Sequence, residues 1–279
     1  MNNYRTEVFT MNWFKKKFLS EKHEAKDIYK ASQLTTDVTI RNGLGEVLFE
    51  HLHNKVIIPG ASFTARCHFD ISSEEITPSY NTELGLDDST SETAAENGAS
   101  EKVYLFAVGI DGGGTEPSQK YPVDYTKWTA PENLIPFRYV PASADNIDTD
   151  VYFGKKTNEN GMNAYYFKTF DSEPEFIQEY TDGTAVTSNV YDIDRSTEAQ
   201  TYVRLKLKIT SDDCRDWFLN TTGIEEAKIN TISLLTGWAK EINGKKVYQN
   251  IRPLTKLNIV GESLVDLTKG IDITYDIYY

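Results

Sequence analysis

Two cysteines and four histidines in a chain of 279 residues leave little material for redox or metal chemistry. Cys67 and Cys214 are far apart in sequence, and a disulfide-stapled secreted domain carries several pairs, so both are read as reduced thiols packed as small hydrophobes. None of His23, His51, His53 and His68 pairs with a cysteine at the spacing a structural zinc site requires. His51 and His53 would share one face of a strand. Two ligands fall short of a site, and a polar face beside a turn accounts for them. Cations are also scarce. Against 42 Asp and Glu stand 29 Lys and Arg, giving a net charge of −13, whereas phosphate backbones and anionic lipid both demand a cationic face. Neither nucleic acid nor membrane is therefore an expected partner. No run approaches the ~20 apolar residues of a membrane-spanning helix, and lysines interrupt the apolar positions of the first thirty residues where a secretory signal needs an unbroken core. Gly-x-Ser-x-Gly, His-Glu-x-x-His and Gly-x-x-x-x-Gly-Lys-Ser/Thr are all missing.

What the chain does have is aromatic residues, with 4 Trp, 17 Tyr and 13 Phe, accompanied by frequent Ile, Val and Thr, a mixture that suits strands. Hydrophobic residues at 39% and a mean hydropathy of −0.49 describe a soluble protein. At this length roughly three quarters of the extended surface can be buried.

Composition divides the sequence. Residues 1–34 form a basic amphipathic segment, with Lys15, Lys16, Lys17, Lys22, Lys26 and Lys30 around Phe14, Phe18 and Leu19 at helical spacing. Such a helix docks on its own domain or on a neighbour. Residues 35–279 read as a β-rich domain interrupted at 71–102 by an acidic, low-complexity insertion, where eight acids face Lys102 alone and so carry seven of the thirteen net negative charges. A stretch so polar is expected to bury too little apolar area to offset the cost of ordering its backbone, and is read as a surface excursion.

Elsewhere the period is two. Thr36 to Arg41 and Glu46 to Ile58 read as strands, the first pair joined by an Asn42-Gly43 hairpin turn. In Tyr202 to Thr210, Val203, Leu205, Leu207 and Ile209 face one way and Arg204, Lys206 and Lys208 the other, as in an antiparallel strand with one wet side. Ile271 to Tyr279 alternates likewise. Further strands are expected at Val103 to Ile110, Phe137 to Val140, Ala164 to Phe170, Ala185 to Ile193, Ile229 to Trp238 and Leu254 to Val260. Helices are expected at Ser62 to Phe69 and at Ser211 to Asn220, the latter with Ser211 as N-cap and Asp212 and Asp213 in its first turn. The fold class is thus mainly β, an antiparallel β-sandwich or jelly-roll-like core with few short helices and long inserted loops.

Three constellations invite a chemical reading. The apolar strand Val103 to Ile110 runs into Asp111-Gly112-Gly113-Gly114-Thr115, which looks like the first phosphate loop of the sugar kinase, actin and Hsp70 superfamily, where the aspartate helps hold the metal and glycine amides approach phosphate. That superfamily sets the loop at the start of a βαβ-rich half, and no second phosphate loop follows here. A strand ending in a flexible glycine-rich loop is the simpler reading. Asp145, Asp148 and Asp150 lack the spacing, the sixth-position glycine and the distal glutamate of an EF-hand, and suit a turn. Paired carboxylates, Asp192 with Asp194 and Glu173 with Glu175, are expected by chance in so acidic a chain. No catalytic, cofactor or metal-binding residue is assigned, and no cofactor is expected.

The segment from Glu50 to Phe69, with Asn54-Lys55-Val56-Ile57-Ile58-Pro59-Gly60 at its centre, resembles a recurrent stretch near the N-terminus of virion structural proteins of tailed bacteriophages. Gly261 to Thr268, followed by Ile271 to Tyr279, is similar to the closing strand of such proteins. The resemblance implies a non-enzymatic structural component of a phage particle, in the tail, neck or baseplate, assembled in the host cytoplasm as a symmetric homo-oligomer. Its partners would be identical subunits and other virion proteins. The C-terminal strand and the N-terminal helix would then either join a neighbour or pack within the monomer. A capsid decoration protein is the nearest variant. A carbohydrate- or receptor-binding module stacking sugars on Trp128, Trp217 and Trp238, and a kinase-like enzyme using the Asp111 to Thr115 loop, are the alternatives from other classes.

Overall fold

The computed structural model describes residues 35–52, 55–56, 79–87, 101–110, 134–180, 185–187, 199–221, 223, 227–242, 244–263 and 270–278. Several expectations lie outside them: the basic segment 1–34, the Ser62 to Phe69 helix, Cys67, His53, the Asp111 to Thr115 loop, Trp128, and Asp192 with Asp194.

Among the described residues, strands dominate. They are β1 (Thr35–Asn42), β2 (Val47–Leu52), β3 (Lys55–Val56), β4 (Lys102–Gly109), β5 (Leu134–Ile135), β6 (Arg138–Pro141), β7 (Tyr152–Thr157), β8 (Met162–Thr169), β9 (Glu175–Tyr180), β10 (Ala185–Thr187), β11 (Ala199–Ile209), β12 (Lys228–Ile242), β13 (Lys245–Ser263) and β14 (Ile271–Tyr278). Two short helices accompany them, α1 (Tyr80–Leu84) and α2 (Arg215–Thr221). All pairings are antiparallel. One sheet has the order β10-β9-β11-β14-β1-β2, the other β3-β13-β12-β4-β8-β6 with β5 against β4 and β7 against β8. This is the mainly β, sandwich-like core expected from the alternation.

Alternation decides which face meets the other sheet. Val38 and Ile40 of β1, Leu205, Leu207 and Ile209 of β11, and Ile271, Ile273, Tyr275 and Ile277 of β14 share one buried core with Phe106 and Val108 of β4 and Ile232 and Leu234 of β12. At roughly 1.5 to 3 kcal/mol for each buried side chain this layer is the main source of stability. β14 lies between β1 and β11 and pairs with both over its whole length, from Ile271 opposite Asn42 and Ile209 to Tyr278 opposite Thr35 and Tyr202. The C-terminal strand therefore packs within the monomer. Neither of its hydrogen-bonding edges is open to a neighbour.

The larger sheet is buried on its second face too. There Leu105 and Ala107 of β4, Phe153 of β7, Phe167 of β8 and Tyr248 and Ile251 of β13 pack beneath Tyr80, Leu84 and Leu86. This corrects the reading of 71–102 as unable to bury apolar area, since Ser79 to Asp87 inside that stretch forms an anchored helical turn. The Ser79 side chain caps it by accepting from the Thr82 amide, and Gly85 closes it in the left-handed region at φ 61°.

Other departures have local causes. The β1–β2 turn is wider than a two-residue Asn-Gly hairpin, because the Asn42 side chain accepts from the amides of both Leu44 and Glu46 and the left-handed residue is Gly45 at φ 83°. Strands β7 and β9 carry too weak an alternation to be expected. At Gly154 of β7 a Cβ would stand 2.3 Å from the Phe167 ring, so glycine is what lets that ring lie flat on the strand. The expected helix at Ser211 begins at Arg215 instead, since Ser211 to Cys214 is spent on turns.

Candidate functional site

The most unusual chemistry among the described residues lies between the sheets. Lys168 of β8 stands opposite Phe106 and Tyr152, on the face turned toward the other sheet. Asp213 comes from the turn after β11, in the opposite sheet. The Lys168 Nζ lies 2.6 Å from the Asp213 Oδ2, and the two side chains are 7% and 0% exposed. The ammonium also donates to the Lys208 carbonyl at 2.8 Å, and the Thr210 amide donates to the same Asp213 Oδ2 at 2.7 Å. The second carboxylate oxygen, Oδ1, accepts from the Tyr152 hydroxyl at 2.9 Å. Rings of Tyr152 and Phe137 lie 5.2 and 5.9 Å from the Lys168 nitrogen. Burial, and then the neighbouring Asp213, push the Tyr152 phenol up to about 12, so it keeps its proton and donates.

Cys214 follows directly. It adopts φ 63° and its amide donates to the Phe137 carbonyl at 2.8 Å. Its thiol is free and wholly buried, and burial followed by Asp213 pushes its pKa upward. A thiol held protonated and away from water is a poor nucleophile.

The constellations singled out by sequence have other duties. Asp145 accepts from the Tyr165 hydroxyl and the Asn163 amide, both at 2.6 Å, and from the Ile147 amide at 3.2 Å. Burial raises its pKa, but these hydrogen bonds and Lys155 outweigh that and hold it below the usual carboxylate value. Asp148 accepts from the Asp150 amide at 2.9 Å, which makes this stretch the turn it was read as. Glu175 pairs with Lys206 across β9 and β11, while Glu173 is exposed two residues away. The Asp111 to Thr115 loop is outside the described residues, and the strand leading to it pairs antiparallel with β5, β8 and β12, not in parallel βαβ fashion. Trp238 is buried and offers no open stacking face, while Trp217 is half-buried with its ring plane at 76° to that of Phe218.

On the outer face of the smaller sheet, Asp37 and Asp276 stand directly opposite one another. Each has its own basic partner. Arg204 grips Asp276 with two hydrogen bonds of 2.8 Å, and His51 Nδ1 lies 2.9 Å from Asp37 Oδ2. The hydrogen bond and charge of Asp37 raise the exposed His51 above its ordinary 6.5. Because the folded-state value exceeds the unfolded one, the stability this contact adds is complete below about pH 6.5 and fades as pH rises through the folded-state value. Urea titrations at pH 6 and pH 8 should therefore show a smaller loss of stability in His51→Gln than in the wild type. Equal losses would remove His51 from the pH response.

Among the described residues no group of three or more His, Cys, Asp or Glu side chains is placed to hold a metal ion. No protein-family model, curated protein or solved structure matches the chain. The buried cluster was missed in sequence because Asp213 reads as a helix first-turn residue and Lys168 falls inside the expected strand Ala164 to Phe170 with nothing local to mark a partner. One clue was available, a lysine set inside Tyr165-Tyr166-Phe167-Lys168-Thr169-Phe170, where aromatic neighbours on both sides favour burial. Chemically the arrangement holds an amine and a carboxyl group in contact, dry, at the seam between the two sheets.

Proposed function

We propose that this chain is a non-enzymatic structural component of a tailed-phage particle, in the tail, neck or baseplate, assembling in the host cytoplasm as a symmetric homo-oligomer. The observation that carries this reading is the placement of exposed apolar side chains. The large ones among the described residues are Leu44, Val47, Ile110 and Leu219. Register puts the ends of β1 and β11 beside the start of β14, and the Cys214 amide bond to Phe137 joins that end to β5 and the end of β4. All four residues therefore belong to one pole of the sandwich. Apolar side chains gathered at a single end suit a surface presented repeatedly to identical neighbours. The edge strand β2, by contrast, is paired irregularly with register shifts and carries His51 at φ 54°, features that discourage strand addition there.

The test is mass in solution by light scattering, on the wild type and on Leu44→Glu/Leu219→Lys. The expected result is a closed oligomer whose dissociation constant rises at least about tenfold in the variant. A wild type that stays monomeric at high micromolar concentration, and that is absent from purified particles, would sink the proposal.

A further inference from the structure

We propose that Lys168 and Asp213 condense within the folded chain to form an isopeptide bond that joins the two sheets covalently. The inference is independent of the phage reading and rests on three features of the buried cluster. The reacting groups are already in contact, with Nζ 2.6 Å from Oδ2, and this proximity makes the condensation intramolecular. Both side chains are removed from solvent, so once water is expelled by condensation no bulk water stands beside the new bond to hydrolyse it. The Tyr152 hydroxyl points at Oδ1 from 2.9 Å, the atom on which negative charge develops when the amine adds.

The step balances with no other reactant. The Nζ lone pair attacks Cγ and the C–N bond forms, moving the carbonyl electron pair onto Oδ1, where Tyr152 holds it. Oδ2 takes one proton from Nζ across their 2.6 Å contact before the attack and a second from Nζ as the intermediate collapses. It leaves as water, and the electron pair returns from Oδ1. The product is a secondary amide. Its remaining N–H keeps the Lys208 carbonyl as acceptor, and its oxygen keeps the Tyr152 donor. Nearby ionisable groups fit this course, since Cys214 stays a protonated thiol and Arg138, 5.6 Å from the Tyr152 ring centre, adds positive potential on the Tyr152 side.

Intact-mass spectrometry of the denatured, full-length protein, with tandem mass mapping of a protease digest, decides the matter. The expected wild-type mass is lower than the sequence mass by one water molecule, with a branched peptide joining the Lys168 and Asp213 segments. Lys168→Arg, which keeps the charge and cannot condense, should return to full sequence mass. Tyr152→Phe should form the bond at least about tenfold more slowly after refolding. A wild-type chain at full sequence mass, with Lys168 and Asp213 in separate linear peptides, would leave an ion pair only and overturn the proposal. So would a lost water mapped to a linear peptide or to another residue pair. The wild-type map alone suffices if a variant does not fold.

Discussion

Lys168→Met, in which neither the ion pair nor the amide can form, should destabilise the protein by about 3 to 5 kcal/mol, the range for stranding one member of a buried ion pair. The reason is what remains behind. Asp213 has no exposed surface, and without the ammonium it would keep only the Thr210 amide and the Tyr152 hydroxyl, too little to replace the water it has lost. Urea unfolding followed by tryptophan fluorescence measures the loss, with the midpoint falling and the slope unchanged if the native fold persists. The double variant Lys168→Met/Asp213→Leu should recover the part due to the stranded charge, since it removes the charge along with its partner, and the loss that remains belongs to the link between the sheets. A double variant as unstable as the single one would show that the connection between the sheets, and not the stranded charge, dominates. A single variant within about 0.5 kcal/mol of the wild type would contradict the buried geometry.

The second large effect is expected at Asn81. Its Nδ2 donates to the Tyr248 carbonyl at 3.0 Å, and its Oδ1 accepts from the Ile251 amide at 2.8 Å. These backbone groups are free to bond with it because β12 and β13 slip register between Thr236 and Trp238, where Asn250 takes φ 55° and the ladder opens. One amide side chain thus fills a bulge in the sheet and fixes α1 upon it. Asn81→Ala would leave a buried donor and a buried acceptor without partners, at about 1 to 3 kcal/mol each. The same change should speed proteolysis within the acidic stretch around α1, because Tyr80, Leu84 and Leu86 would lose the contact that orients them. Limited proteolysis with mass mapping reads that second effect, and an unchanged cleavage pattern would show that the apolar anchors suffice alone.

Much of the sandwich was legible in the chain because a strand with one dry face writes its burial into alternate residues. β11 and β14 are clear instances, with Leu205, Leu207 and Ile209 meeting Ile271, Ile273 and Tyr275 across the register. Where both faces are buried the alternation fades. β7 and β8 lie in the sheet covered on two sides, and Gly154 and Lys168 interrupt their apolar pattern for reasons visible only when the facing residues are known. Composition misled at α1. The charge of the 71–102 stretch concealed Tyr80, Leu84 and Leu86, three side chains whose spacing over a single turn is enough to dock a short helix but too brief for a periodic signal. The buried cluster was least legible. It joins residues 45 positions apart on different sheets, and no local pattern encodes such a meeting.

The position of β14 also bears on how the protein reaches its native state. The last strand among the described residues lies in the middle of its sheet, and its register matches Thr35 with Tyr278. Neither β1 nor β11 can complete its hydrogen bonds until that strand has left the ribosome. The smaller sheet therefore cannot close before β14 has been made, and the search for partners so distant in sequence makes refolding slow. Until then the apolar faces of β1 and β11 stay uncovered on the nascent chain. That interval is when aggregation, chaperone capture and early association with other copies all compete.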